Sequence, residues 1–169
     1  MLTLTHTRRL SPLVLAACFL LACSPRSYVV SRMADAASSG GDVFARDDDP
    51  ELVRDAVPFA LKAMESLLAS APDHKGLLTA LCKGFTQYAV AFVRQDAEEA
   101  QDPGVRRAGM ERARRLLLRA REYGVRGLSV GRAGFPSGLF ADPSAAAARI
   151  DAEDVPLLYW TGAAWSLAV

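Results

Sequence analysis

The sequence predicts an all-α fold built of helical hairpins, on three observations. No segment alternates apolar and polar residues as a half-buried strand does. Four segments carry apolar residues at helical spacing, and two of them have strong start signals, at Asp49 and Asp154. Hydrophobic residues fill 51% of the 169 positions and charged residues 23%, a globular balance with apolar surface enough for one core. The formal net charge of +1 makes no electrostatic case for a nucleic-acid partner. Three cysteines, two of them very early in the chain, cannot build a disulfide framework.

Residues 1–22 read as a signal peptide of the lipoprotein type. Arg8 and Arg9 precede an apolar core, "SPLVLAACFLLAC", of signal-peptide length and too short to span a bilayer as a helix. Two stretches within it, "LAAC" ending at Cys18 and "LLAC" ending at Cys23, set a small residue before a cysteine, as in the bacterial lipobox. Cys23 is the favoured lipidation site, because it leaves the fuller apolar core ahead of the cut and polar "SPRS" behind it. Acyl chains contribute about 0.8 kcal/mol per buried methylene, so a multiply acylated Cys23 would hold the chain firmly on a membrane. Ser24 after the cysteine, in place of Asp, resembles lipoproteins sent on to the outer membrane. Without residues 1–22 the balance is 18 basic against 19 acidic residues, close to neutral. Residues 23–48 form the anchored N-terminal segment, a short amphipathic stretch followed by Ser38-Ser39-Gly40-Gly41 as a joint.

The helical domain is expected over 49–169. Its first helix has Asp49 as N-cap, Pro50 at the first helical position and Glu51 in the first turn. The apolar period then runs from Val53 to Leu68, with Pro58 kinking or dividing the helix. Asp47, Asp48 and Asp49 lack the later ligands of a calcium loop and read as a cap cluster. The second helix runs from about Asp73 to "DAEEAQD", with Leu78, Leu81, Cys82, Phe85, Tyr88, Ala89 and Phe92 as its apolar stripe. The third, around "PGVRRAGMERARRLLLRAREYG", buries Met110, Ala113, Leu117 and Ala120. It carries two arginine stripes, Arg107, Arg114 and Arg121 beside Arg112, Arg115 and Arg119, read as a solvated face or a docking rim. "GVRGLSVGRAGFPSGLFADPS" reads as a glycine-rich loop and "AAAARI" as a helical turn or two. Asp154 reads as the cap of a last helix, "VPLLYWTGAAWSLAV".

These helices fit the tetratricopeptide pattern. "Ala60-x3-Met64-x2-Leu67-x4-Pro72" and "Ala113-x3-Leu117-x2-Ala120" match the second helix of that repeat. "Leu78-x2-Leu81-Cys82-x2-Phe85" and "Leu158-x2-Thr161-Gly162-x2-Trp165" match the first, with the small Cys82 and Gly162 where paired helices would cross closely. A more specific resemblance rests on the lipobox, the block from Val43 to Val93, "RARRLLLRAREYGVRGL" and "DVPLLYWTGAAWSLAV". Over nearly all of 43–169 these resemble the TRAP transporter T-component (TatT) family, periplasmic lipoproteins of tetratricopeptide-like helices. The resemblance implies an α-solenoid on the periplasmic face of a bacterial membrane, the outer membrane by the Ser24 signal. It implies an accessory of a TRAP-type organic-acid transporter that docks the soluble substrate-binding subunit, or holds a small apolar or organic-acid ligand near it, with no chemistry of its own. Family members run on through further helix pairs, so the last helix resembles the first half of an incomplete pair, and its open stripe is expected to drive self-association. The alternative is a general tetratricopeptide lipoprotein that scaffolds envelope assembly, and the neighbouring genes separate the two.

One enzymatic motif is present. "Gly127-Leu128-Ser129-Val130-Gly131" matches G-x-S-x-G, but that elbow needs a strand before the serine and a histidine after it, and no histidine follows Ser129. A lone His74 and a lone Cys82 make no metal set, and no phosphate-cradling loop precedes a helix. No cofactor, metal or catalytic residue is expected. The aromatic residues gather on two helices, Phe85, Tyr88 and Phe92 on one and Tyr159, Trp160 and Trp165 on the other. They serve either as core or as the lining of a ligand or partner surface. Tyr159 and Trp160 are adjacent and cannot face the same way, so one of them is the better surface candidate.

Overall fold

The computed structural model describes residues 25–39, 44 and 46–169, which form helices joined by short turns, with no strand among the described residues. Cys18, Cys23 and the rest of the signal segment lie outside the described residues. The first helix, α1 (Pro25–Ser39), falls in the stretch assigned to the anchored segment, yet it packs on the helices that follow, with Ala34 fully buried. Helix α2 (Pro50–Ser70) starts as expected: the Asp49 carboxylate accepts from the backbone N–H groups of Glu51 and Leu52 at 3.1 and 3.0 Å. Pro58 sits inside α2 without dividing it.

Helix α3 (Lys75–Tyr88) is capped by His74, whose Nδ1 accepts from the Leu77 N–H at 3.2 Å. It passes without a break through a π-helical segment, Ala89–Arg94, into α4 (Gln95–Glu99). The wider π turns keep Phe85, Ala89, Val93 and Ala97, four positions apart, on one buried line. Val93 therefore reaches the core where the regular period had placed Phe92.

Helix α5 (Pro103–Ser129) continues through the first part of the predicted glycine-rich loop. The correction has a steric reason. A Cβ on Gly124 would lie 2.2 Å from Thr161 Oγ1 and 3.0 Å from Cys82 Sγ, and one on Gly127 would lie 2.7 Å from Leu157 Cδ2. Each glycine costs a helix about 0.5–1 kcal/mol relative to alanine, and here that cost is offset by a crossing too close for any side chain. The rest of the predicted loop holds α6 (Phe135–Ala141), seated by the fully buried Phe135 and by Leu139. Helix α7 (Pro143–Ala147) and a 3-10 turn, Ala152–Asp154, lead into α8 (Val155–Leu167).

Helix α3 is central, packed against α1, α2, α5 and α8. With α4 it is apolar and long enough to suit a membrane span, but its apolar residues go into this four-sided packing, with Leu77, Leu78, Leu81 and Cys82 all fully buried. Helix α3 lies on both α1 and α2, and α8 lies on both α3 and α5, the packing order of stacked helical hairpins. The buried line of α8 is Leu157, Thr161, Ala164 and Ala168. Gly162 falls on the opposite side, exposed and with nothing within 4 Å of its Cβ position, so it does not make the close crossing that its spacing suggested. Thr161 and Gly124 make it instead.

Candidate functional site

The six aromatic candidates fall in three places. Phe85 is core, 5% exposed, stacked on Tyr123 at 5.9 Å between ring centroids, with the Arg119 guanidinium 4.9 Å over its face. Tyr88 and Phe92 are half-buried neighbours at 5.6 Å, and Arg54 lies 5.1 Å over the Phe92 ring while also pairing with Asp96. Trp165 is half-buried, edge-on to Phe140 at 5.0 Å, and covered by Arg121 at 5.6 Å. Trp160 packs against the cluster around Leu128 and Phe135. Tyr159 is the outward member of its pair, 65% exposed. These rings do not converge on one groove, since arginines sit over Phe92, Trp165 and the core Phe85, and Tyr159 turns outward.

The outer face of α8 is a different surface. Val155, Tyr159, Gly162 and Ser166 follow one another along it, all exposed, with no charged side chain in the row. Helical spacing puts them on one side because the other side supplies the buried line.

Two carboxylates tie the hairpins together, Asp154 buried and Glu65 half-buried, and sequence reasoning missed both roles. Asp154 does not cap α8 with its side chain. Its carboxylate accepts from Lys75 Nζ at 2.8 Å and from Arg132 Nη2 at 2.7 Å, joining the start of α3 to the turn after α5 and the start of α8. Glu65 on α2 accepts from Lys62 and from the Tyr123 hydroxyl, each at 2.6 Å, and pairs with Arg119. Burial raises both carboxyl pKa values, but for Asp154 the hydrogen bonds from Lys75 and Arg132 outweigh it, and the net shift is downward. For Glu65 the hydrogen bonds from Lys62 and Tyr123, with the Arg119 charge, have the same net result. The sequence offered Asp154 only as a helix cap and Glu65 not at all, because Lys75, Arg132, Tyr123 and Arg119 lie far from them in the chain and only Lys62 is near.

A pH prediction follows from these directions. A carboxylate whose folded pKa lies below its unfolded value contributes stability that is present above the unfolded pKa, about 3.9 for Asp and 4.3 for Glu. That contribution is lost as pH falls through the folded value. Thermal melts should be nearly flat from pH 7 to about 5 and drop below about 4. The double variant Asp154→Asn, Glu65→Gln should start lower at pH 7 and lose less on acidification. An equal loss in both proteins would assign the acid sensitivity to other groups.

The G-x-S-x-G serine is not on an elbow. Ser129 ends α5, and its hydroxyl donates to the Val125 carbonyl at 2.6 Å. Besides capping α3, His74 turns Nε2 to the Asp35 carboxylate at 3.1 Å. The Cys82 thiol is pushed up to about 11 by burial, against weaker opposing hydrogen bonds from Thr161 and Gly124, so it stays protonated at neutral pH. Among the described residues no group of three or more His, Cys, Asp or Glu could hold a metal ion.

What the fold presents is surface: stacked helical hairpins with an apolar end face and an arginine-rich helix, the form of a helical scaffold. The chain belongs to the TRAP transporter T-component family, whose model matches residues 46–169. That family is a transport accessory and not a known enzyme family. The chain is also 32% identical over 137 residues to an uncharacterized protein of Treponema pallidum (strain Nichols), an alignment covering 75% of this chain. The chain spans 41% of that relative's length.

Proposed function

We propose that this protein is a non-catalytic lipoprotein on the periplasmic face of a bacterial outer membrane, anchored through Cys23, with stacked tetratricopeptide-like hairpins that dock the substrate-binding subunit of a TRAP-type organic-acid transporter. Family membership over residues 46–169 supports the transport setting. The observation that carries the docking role is the outer face of α8, where Tyr159 and Val155 stand 65% and 53% exposed beside an open Gly162. A large aromatic with few rotamers, on a face without charge, is the kind of residue that dominates protein interfaces.

The docking test pairs this protein with the substrate-binding subunit of a TRAP-type transporter from the same genome. Tyr159→Ser should weaken binding by about tenfold or more, as expected of a central interface aromatic. Phe59→Ser, which removes a ring 79% exposed on α2, should leave binding unchanged. Equal binding by the Tyr159 variant and the parent protein would remove α8 from the interface. Anchoring is tested apart from docking. Cys23→Ala should abolish both fatty-acid labelling and fractionation with membranes, and loss of label in Cys18→Ala alone would move the lipid to Cys18.

A further inference from the structure

We propose that the outer face of α1 lies in the headgroup layer of the membrane, so that the helical body is seated on the bilayer and held at one orientation to it. The proposal rests on the anchoring of Cys23 and adds a lipid-contact surface to it. Helix α1 begins at Pro25, two residues after Cys23. Two residues span at most about 7 Å, so acyl chains on Cys23 bring the first turn of α1 to the bilayer surface.

A surface helix normally buries one face and offers charge on the other. Helix α1 is apolar on both. Ala34, fully buried, and the partly buried Ala37 pack into the core with Leu77 and Leu81. On the other side Tyr28, Val29 and Met33 are each more than half exposed, with Ala36 exposed beside them. At about 100° per residue, these four and Arg32 fall within an arc of about 140°. The charge on this side is a single cation. Arg32 Nε donates to the Tyr28 hydroxyl at 3.2 Å, and the guanidinium lies 5.3 Å over the Tyr28 ring. Asp35, the one acid of the helix, is turned to His74, 3.1 Å from its Nε2.

The helix is fixed to the body and does not swing from it. Its second half passes the start of α3 so closely that a Cβ on Gly76 would lie 2.9 Å from Ser38 Oγ. His74, which caps α3, faces Asp35 across the same junction. Whatever surface α1 rests on therefore sets the orientation of α3 and of the helices packed around it. A bilayer suits the outer face in each of its parts. A tyrosine ring sits well at headgroup level with its hydroxyl toward water. Val29 and Met33 reach the acyl boundary, and an arginine on an apolar stem is drawn to lipid phosphates. A protein does not fit between the first turn and the headgroups, since even one helix is about 10 Å across.

The test uses the full chain, lipidated in cells and reconstituted into vesicles of phosphatidylethanolamine and phosphatidylglycerol. Single nitroxide labels are placed through Val29→Cys, Met33→Cys and, on the exposed side of α5, Arg112→Cys. Cys82 is fully buried and takes no label. Labels at 29 and 33 should lie about 5–10 Å into the interface, open to dissolved oxygen and shielded from an aqueous nickel complex, and the label at 112 should show the reverse. Val29→Glu with Met33→Glu should keep the melting temperature, since both side chains are exposed, and keep the fatty acid on Cys23. In that variant a label at Ala36→Cys should lose its shielding from nickel. Nickel reaching 29 and 33 as freely as 112, in protein that carries fatty acid on Cys23, would overturn the proposal and leave the anchoring reading standing. Spin–spin broadening at 29 or 33 would put a second copy on this face and overturn the proposal too. Protein without fatty acid on Cys23 would remove the anchor and the proposal together.

Discussion

Gly124→Val should destabilise the protein by about 3 kcal/mol or more, the upper range for overpacking a dense crossing. For a chain of this size that corresponds to a fall of roughly 6–12 °C in melting temperature. The reason is geometric: a Cβ at position 124 meets Thr161 Oγ1 at 2.2 Å, Thr161 Cβ at 2.9 Å and Cys82 Sγ at 3.0 Å. Three helices, α3, α5 and α8, would have to separate. Thr161→Ala removes the nearest of these atoms, so the double variant should be less destabilised than the two single effects added. Additive effects would show that the three helices do not cross at this point. Gly162→Ala, on the open side of α8, should stabilise slightly through helix propensity.

Leu81→Ala should cost about 2–5 kcal/mol, because the cavity it leaves is walled by packed helices that relax only in part. Leu81 is fully buried on α3, the helix that touches α1, α2, α5 and α8. Leu52→Ala removes the same atoms from a position 57% exposed on α2 and should change stability by less than about 0.5 kcal/mol. The contrast is read from denaturant midpoints at constant m-value. Similar losses in the two variants would mean that α3 is not the centre of the fold.

Much of this architecture was legible in the residues. The Asp49-Pro50 start, the apolar stripe from Leu78 to Phe85 and the Ala113, Leu117, Ala120 face follow from local rules of capping and period, and they stand in the structure as read. The blocks that resemble the T-component family were likewise plain in the sequence, since a family resemblance needs residue order alone. The candidate sites were less legible. The arginine stripe of α5 was visible, but not that Arg121 would lie over Trp165 and Arg119 pair with Glu65.

The sequence by itself determined the all-α fold class, where four of the helices start, and which faces of them are apolar. Those properties depend on residues three and four positions apart, and the chain carries them wherever it goes. Only the tertiary structure decided that Gly124 and Gly127 lie inside a helix, that Gly162 points outward, that Val93 displaces Phe92 from the core, and that Asp154 holds Lys75 and Arg132. The close crossings and the buried carboxylate turn on neighbours distant in the chain: Thr161 against Gly124, Leu157 against Gly127, Lys75 against Asp154. A glycine signals a break when nothing else touches it, and permits a close crossing when another helix does. The difference lies in the partner, and the partner is supplied by folding.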